Sequence, residues 1–526
     1  MYWADRIADE VVERYKDKIG KNEPIIIRDE KTASGRVHVG SLRGVAIHGI
    51  ISEVLTERGI PNKYLFEIND SAPMDGLPVY LDETTFKPYM GKPLYDVPSP
   101  DGKAKNFAEY FAEEFIGVIK ELGFTPEYYR SSDLYKNGDF NETIKLSLIH
   151  AAKIRDIYKR ISGSVKEGNW FPVSIVCENC GKMSTTLTSE FDGELATYIC
   201  RDIAWATGCG HAGKVSPFNG RAILPWKVEW AAKFKVLNVD VEGGGKDHST
   251  KGGARDVAEA ISREIFDRIP PFNIPYEFFQ VAGKKMSSSK GKGSASREIA
   301  DLLPPEVLRL LLLQKEPNRV IEFIPDGDTV PILFDTYDKL ATGFFAKEDT
   351  DYTRMFKLMH PPIERENIPH REMPRFSQIA YLAQMPHLNI ESEVEKINEK
   401  PLSVADKAEL EKRKRYAKVW IDTYAPEDYK FEIKKEVPEM AKELTDIQKQ
   451  SLKEVLKFIE GASMLDGQIL HTALHDIKEK TGIAPKEFFE AIYMSILGKK
   501  SGPKAGWFLS VMDKDFLIER LKEVAG

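Results

Sequence analysis

Cysteine is scarce in this chain: 4 residues in 526, all between Cys177 and Cys209. So few thiols in so long a chain exclude a disulfide-stitched secreted scaffold. Long apolar runs are missing as well: none approaches the ~20 residues a membrane-crossing helix needs, and Leu310 to Leu313 is only a short stretch. Met1 to Arg6 shows no basic leader followed by an apolar stretch, so no signal peptide is expected. Basic residues are not in excess either. With 75 Lys+Arg against 82 Asp+Glu the net charge is -7, which does not advertise a nucleic-acid binder. A local basic face on a mildly acidic body stays compatible with one. Internal repeats and low-complexity tracts are absent. The composition, 42% hydrophobic and 30% charged, is that of globular protein rather than a disordered chain. A soluble, cytoplasmic protein with no membrane association is expected, and a monomer.

What is present has an order. Trp3, Ile7, Val11 and Tyr15 recur every four positions and predict an amphipathic helix. Pro24-Ile25-Ile26-Ile27 reads as a buried strand, Thr32-Ala33-Ser34-Gly35 as a turn, residues 39–58 as a helix, and Lys63 to Ile68 as the next strand. Strand, glycine turn, helix, strand is the pattern of a βαβ unit and a parallel sheet. Residues 84–106 read as irregular, with helices predicted over 107–122, 141–162, 251–268 and much of 301–345, and a strand from Tyr276 to Val281. Prolines at 361, 362, 369 and 374 mark a linker. The expected layout is a Rossmann-type parallel-sheet catalytic domain in two halves, 1–90 and 223–300, split by an insertion over 91–222. A connecting region over 301–375 and an all-helical part over 376–526 follow.

Two motifs carry phosphate chemistry. Ser34-Gly35-Arg36-Val37-His38-Val39-Gly40-Ser41 sits where a strand hands over to a helix, where close backbone approach and free N–H groups suit a phosphate. His38 is placed to donate to charge developing on a phosphoryl group. Gly283 to Gly293 contains four lysines, three serines and three glycines, a loop dense in cationic and hydroxyl donors that suits a triphosphate. It lacks Walker spacing, so an ordinary P-loop nucleotidase is not indicated. A third motif is metal-like: Cys177-x-x-Cys180 with Cys200 and Cys209-Gly210-His211. Two thiolates two residues apart form half of a tetrahedral zinc site, completed either by Cys200 and Cys209 or with His211 in place of a cysteine. Such a site would be structural.

Together, His38-Val39-Gly40-Ser41 and Lys285-Met286-Ser287-Ser288-Ser289 resemble the two signatures of class I aminoacyl-tRNA synthetases. Thr32 to Ser41, Gly244-Gly245-Lys246-Asp247-His248, Pro275-Tyr276-Glu277-Phe278 and the terminal Gly498 to Phe508 are similar to the class I lysyl-tRNA synthetases. Two departures stand out: Ser41 replaces a second histidine of many members, and Ser288 a lysine. The resemblance implies a lysine–tRNA ligase using ATP with Mg²⁺, with tRNA(Lys) as partner and a helical anticodon-binding C-terminal region. It implies His38 and Lys285 as catalytic groups, and His38, Gly40, Ser41, Lys285, Met286, Ser287, Ser288 and Ser289 around ATP. Thr32, Trp230, His248 and Tyr276 would surround lysine. Glu30 stands where relatives tend to have glycine. From the residues themselves, a lysine pocket needs apolar walls and an ammonium acceptor. Trp226, Trp230, Tyr276 and Phe278 offer walls, with Trp226 equally suited to the core, while Asp247 and Glu277 offer acceptors. A glutamyl-specific relative is the nearest alternative and would need an arginine in the pocket. Relatives can carry a second Cys- and His-containing cluster, but Pro98 to Lys105 contains neither residue, so no second zinc is expected. The basic run Lys412 to Arg415 reads as a solvated helix face. Lys499, Lys500 and Lys504 are placed by resemblance near tRNA phosphates.

Overall fold

Ile25 to Ile27 are β-branched and suit a pleated, covered surface, and they open strand β1 (Ile25–Thr32). β1 pairs in parallel with β2 (Asn62–Asn69), and β2 with β3 (Glu127–Arg130). On the other side of β1, Ile27 bridges in parallel to Val241 and Val241 to Phe272. The spatial order is therefore β3, β2, β1, the 241 segment, the 272 segment. Chain order reverses at β1, which makes the gap between β1 and the 241 segment a topological switch point, where ligands bind at the carboxyl ends of the strands. The computed structural model describes residues 1–282, 295–385, 388–463, 465–502 and 505–526. None of the described helices is long and apolar enough to cross a membrane.

The chain divides into two units, Met1–Phe323 with Tyr337–Ile368, and Ile324–Thr336 with Pro369–Gly526. In the first, the helix Ser41–Glu57 follows β1 and is almost wholly buried. Gly44 on that helix is required by a close approach: a Cβ there would lie 2.8 Å from the Tyr276 hydroxyl and 2.9 Å from Asp29 Oδ2. The helix Phe107–Glu121 covers the sheet through Phe111, Phe115 and Val118. The insertion contributes the helices Asn141–Ile149 and Ala151–Ser162, and short antiparallel strands β4 (Ser174–Ile175), β5 (Thr186–Phe191), β6 (Ala196–Cys200), β7 (Ala212–Val215) and β8 (Ala222–Ile223). Its core is continuous with that of the helices Trp226–Val236 and Ala254–Glu264.

Three local expectations need correction. The helix predicted over 141–162 is broken at His150 into two. The apolar stretch Tyr276 to Val281 is two strands with different partners. β9 (Gly244–Gly245) takes β10 (Pro275–Tyr276), whereas β11 (Phe279–Val281) takes β12 (Ile321–Phe323). The last of these lies inside the region read as helical over 301–345.

The second unit is helical apart from loops. Asp446–Gly461, Gly467–Thr481, Pro485–Ile496, Ala505–Ser510 and Lys514–Ala525 enclose a core that includes Leu452, Leu474, Phe488, Phe508 and Leu521. The basic run is tied up internally: Lys412 Nζ lies 2.7 Å and Arg413 Nε 2.9 Å from Glu409, Lys414 Nζ 2.6 Å from Glu411, and Arg415 donates to the Tyr416 hydroxyl.

Candidate active site

At the switch point lies a cavity of about 450 Å³. Thr32, His38, Gly40, Ser41, Trp230, Asp247, His248 and Tyr276 all line it, so the structure gathers every described residue singled out around ATP or the amino acid. The expected loop residues Lys285, Met286, Ser287, Ser288 and Ser289 lie outside the described residues. The described chain resumes beside the first motif: Ala295 bridges to His38, and the Ser296 N–H donates to the Val37 carbonyl at 2.8 Å.

His38 is held by its own turn. The Gly40 N–H donates to His38 Nδ1 at 2.9 Å, and a Cβ on Gly40 would sit 3.0 Å from that nitrogen. With Nδ1 as acceptor, a neutral ring carries its proton on Nε2 and is a donor there. Burial, helped by the nearby Lys31 charge, lowers the His38 pKa and favours this neutral form. The backbone behaves differently from expectation. The N–H groups of Ser41, Leu42 and Arg43 donate to the carbonyls of His38, Val39 and Gly40, and that of Gly40 goes to His38. The amides of residues 40–43 are thus already committed within the turn.

The aromatic wall forms on the helix Trp226–Val236. Trp226 and Trp230 stack with ring centroids 5.8 Å apart, and the His248 ring stands edge-on to Trp226 at 4.9 Å. Trp226, at 43% exposure, lines the cavity rather than the core. Tyr276 is half-buried, and the desolvation of its hydroxyl, with the Asp29 charge adding to it, raises the hydroxyl pKa and keeps it neutral.

Under the cavity is a buried charge network that the pattern of residues did not reveal. Arg28 is fully buried and donates to Glu30, to Glu242 at 2.6 Å and to Glu67 at 2.6 Å, and its Nε to the Tyr129 hydroxyl. Lys233 Nζ sits 3.1 Å from Glu30, 2.6 Å from Glu67 and 3.0 Å from Glu229. Trp230 Nε1 donates to Glu242 Oε1 at 2.7 Å, fixing the indole against the cavity. Burial alone would push the Glu30 carboxyl up, but Lys233 and Arg28 outweigh it and bring it down to about 2. The available sequence signal was the run of charges Arg28, Asp29, Glu30 and Lys31 that continues the apolar start of the strand, with Arg28 and Glu30 on one face.

In the insertion, the Sγ atoms of Cys177, Cys180, Cys200 and Cys209 lie within 4.8 Å of one another, and His211 is not in that group. The Cys177–Cys209 and Cys180–Cys200 separations are 3.6 and 3.7 Å. Four thiolates at the usual zinc–sulfur distance stand roughly 3.8 Å apart along each tetrahedral edge. The donor set and its spacing fit a tetrahedral metal ion.

The family model described as tRNA synthetases class I (K) matches residues 1–362. This chain belongs to that family. A second model, described as an anticodon binding domain, matches residues 416–525 of this class I synthetase, within its helical second unit. Similar curated proteins include the lysine–tRNA ligase of Methanosarcina barkeri, 33% identical over 545 residues and covering 100% of this chain and 98% of that one. That of Methanocaldococcus jannaschii is 33% identical over 541 residues, covering 99% of each chain. That of Thermoplasma volcanium is 31% identical over 535 residues, covering 100% of this synthetase and 99% of the relative.

Proposed function

We propose that the protein is a lysine–tRNA ligase, which activates lysine with ATP and passes the lysyl group to tRNA(Lys). The observation that carries the amino-acid assignment is the charge of the cavity wall. Asp29, Glu30, Glu242, Asp247 and Glu277 line it, Glu277 being paired with Lys246 at 2.6 Å, against Lys31 and, among the described residues, no arginine. Together with the Trp226, Trp230 and Tyr276 rings this suits a four-carbon stem ending in ammonium. A glutamyl enzyme needs a cation free to meet the side-chain carboxylate. Arg28 does not serve, because Glu30, Glu67 and Glu242 already hold it, and the cation of the wall, Lys31, acts on His38 at the signature turn.

In the first step an oxygen of the lysine carboxylate bonds to the α-phosphorus of ATP. The bond to the bridging oxygen breaks, and pyrophosphate leaves with that electron pair. His38 donates from Nε2 to phosphoryl oxygen as charge builds, without losing its proton. Lys285 and its serine neighbours would neutralise the departing pyrophosphate. Mg²⁺ arrives on the ATP phosphates, where a hard cation with several waters is at home. In the second step a ribose hydroxyl at the tRNA end takes the lysyl group and AMP leaves, while the helical second unit holds the anticodon. Cys177, Cys180, Cys200 and Cys209 would hold one zinc ion, which cross-links the loops of the insertion and does no chemistry on substrate.

Amino-acid-dependent ATP–pyrophosphate exchange with lysine, ornithine, arginine and glutamate tests the reading. Lysine should drive exchange far better than the others, and glutamate outperforming lysine would sink it. Purified under reducing conditions, the chain should carry about one zinc, and Cys177→Ser with Cys180→Ser should lose it. Protein free of zinc but fully folded in the insertion would end the zinc assignment.

A further inference from the structure

Lys31 has no role in the chemistry so far, yet among the described residues it is the only lysine or arginine lining the cavity. It lies near the carboxyl end of β1, alternating with Glu30 so that it shares a face with Asp29. Its neighbours are committed elsewhere. Asp29 Oδ1 accepts the Glu30 N–H at 2.8 Å, and its Oδ2 lies 3.5 Å from His48 Nδ1. Glu30 is held by Arg28 and Lys233. Among the described residues Lys31 makes no hydrogen bond or ion pair, and its charge reaches His38. Holding an ammonium partly desolvated and unpaired costs free energy, which burial registers by lowering its pKa. An anionic ligand beside His38 would recover that cost.

The turn sharpens the need for it. A helix start usually meets a phosphate with free backbone N–H groups, but here those of residues 40–43 bond within the turn. Fixed positive charge on this side of the cavity must come from a side chain. The chain also carries Ser288 in place of a lysine in the signature loop.

We propose that Lys31 is a catalytic residue of the adenylate-forming step, its ammonium holding the anionic junction where the amino-acid carboxylate meets the α-phosphate. This rests on the aminoacyl-adenylate reading above. While the carboxylate oxygen bonds to phosphorus and pyrophosphate leaves with its electron pair, two anions must come together. Lys31 screens their repulsion and stabilises the non-bridging oxygens of the transition state. It neither gains nor loses a proton.

The test uses the full-length chain with Lys31→Met, close in length but uncharged, and Lys31→Arg. Single-turnover adenylate formation should slow by ~10²–10³-fold in Lys31→Met, the range for losing one preorganised donor. Lys31→Arg should keep most of the rate, because the charge is retained. Calorimetry locates the anion: wild type should bind AMP more tightly than adenosine if Lys31 meets the phosphate, and lysine more tightly than lysine amide if it meets the carboxylate. Loss of either preference in Lys31→Met supports the assignment, and a purely structural lysine would move neither. Adenylate formation within about twofold of wild type, with both preferences intact, overturns it. If no amino acid supports exchange in wild type, yet the AMP preference depends on Lys31, the anion site stands and the ligase reading falls.

Discussion

Two buried charge clusters in this protein are built on opposite plans. Beneath the cavity, two cations, Arg28 and Lys233, serve four carboxylates: Glu30, Glu67, Glu229 and Glu242. In the helical unit one carboxylate, Glu409, serves three cations: Arg371 at 3.1 Å, Lys412 at 2.7 Å and Arg413 at 2.9 Å. In each the charge in the minority is the hub. Removing a hub takes a shared partner from several charges of one sign at once, whereas removing a member of the majority leaves the hub still partnered. The clusters also differ in use. Surplus negative charge under the cavity suits the reception of a cationic substrate, while the Glu409 cluster fastens a helix to its neighbours.

The largest expected effect follows from Lys233→Met. Three carboxylates at the base of the cavity lose their shared partner, and the first unit should lose roughly 5 kcal/mol or more of stability, read by urea denaturation. Glu409→Gln comes next. It takes one carboxylate from the buried Arg413 and should cost about 3 kcal/mol, seen as faster hydrogen exchange over the helix Val404–Thr423. Survival of that helix with unchanged exchange would remove Glu409 as a hub.

A smaller effect is one of pH. Burial works against ionisation of Glu409, yet Lys412 and Arg413 bring its carboxyl down to about 2. Its unfolded value is near the ordinary 4.5. The stability it adds is therefore whole above the ordinary value and drains away as pH falls toward the folded one. Acid unfolding of the second unit should begin in that window, and Glu409→Gln should flatten it. Lys31→Met should raise the His38 pKa, since it removes a repelling charge, although burial keeps it below the ordinary imidazole value. Carbon-13 NMR of the ring reads this directly, and an unchanged titration would separate the two residues. Least of all should come from Glu229→Gln. Burial, only partly offset by Lys233, with Glu67 and Glu30 adding, raises the Glu229 pKa, so the neutral amide replaces a strained anion. A change within about 1 kcal/mol is expected. A cost equal to that of Lys233→Met would break the distinction between hub and majority.

Much of this was legible in the residues. The βαβ opening, the turn at His38 and the clustering of Thr32, Trp230, Asp247, His248 and Tyr276 follow from local pattern or family resemblance, and the structure draws them to one cavity. The four cysteines likewise come together across the sequence distance from Cys177 to Cys209. Other features were hidden because local pattern does not name a partner. Ile321 to Phe323 looked helical in an apolar neighbourhood, yet pairs with Phe279 to Val281. Arg28 and Lys233 were not singled out, because a charge on a strand or a helix does not announce its burial. Their burial depends on Glu67 and Glu242 arriving from two other segments to join Glu229 on the helix of Lys233.

The sequence by itself determined the alternation of strands and helices, the glycine turn that holds His38, and the set of side chains offered to the ligand. Periodicity and backbone conformation are local, and each is set within a few residues. Tertiary structure alone decided which charges are free. Glu30 is spent on Lys233 as well as Arg28, and Lys31 is left facing the cavity. Charge in a folded chain is a matter of distance and desolvation, and both depend on residues hundreds of positions apart.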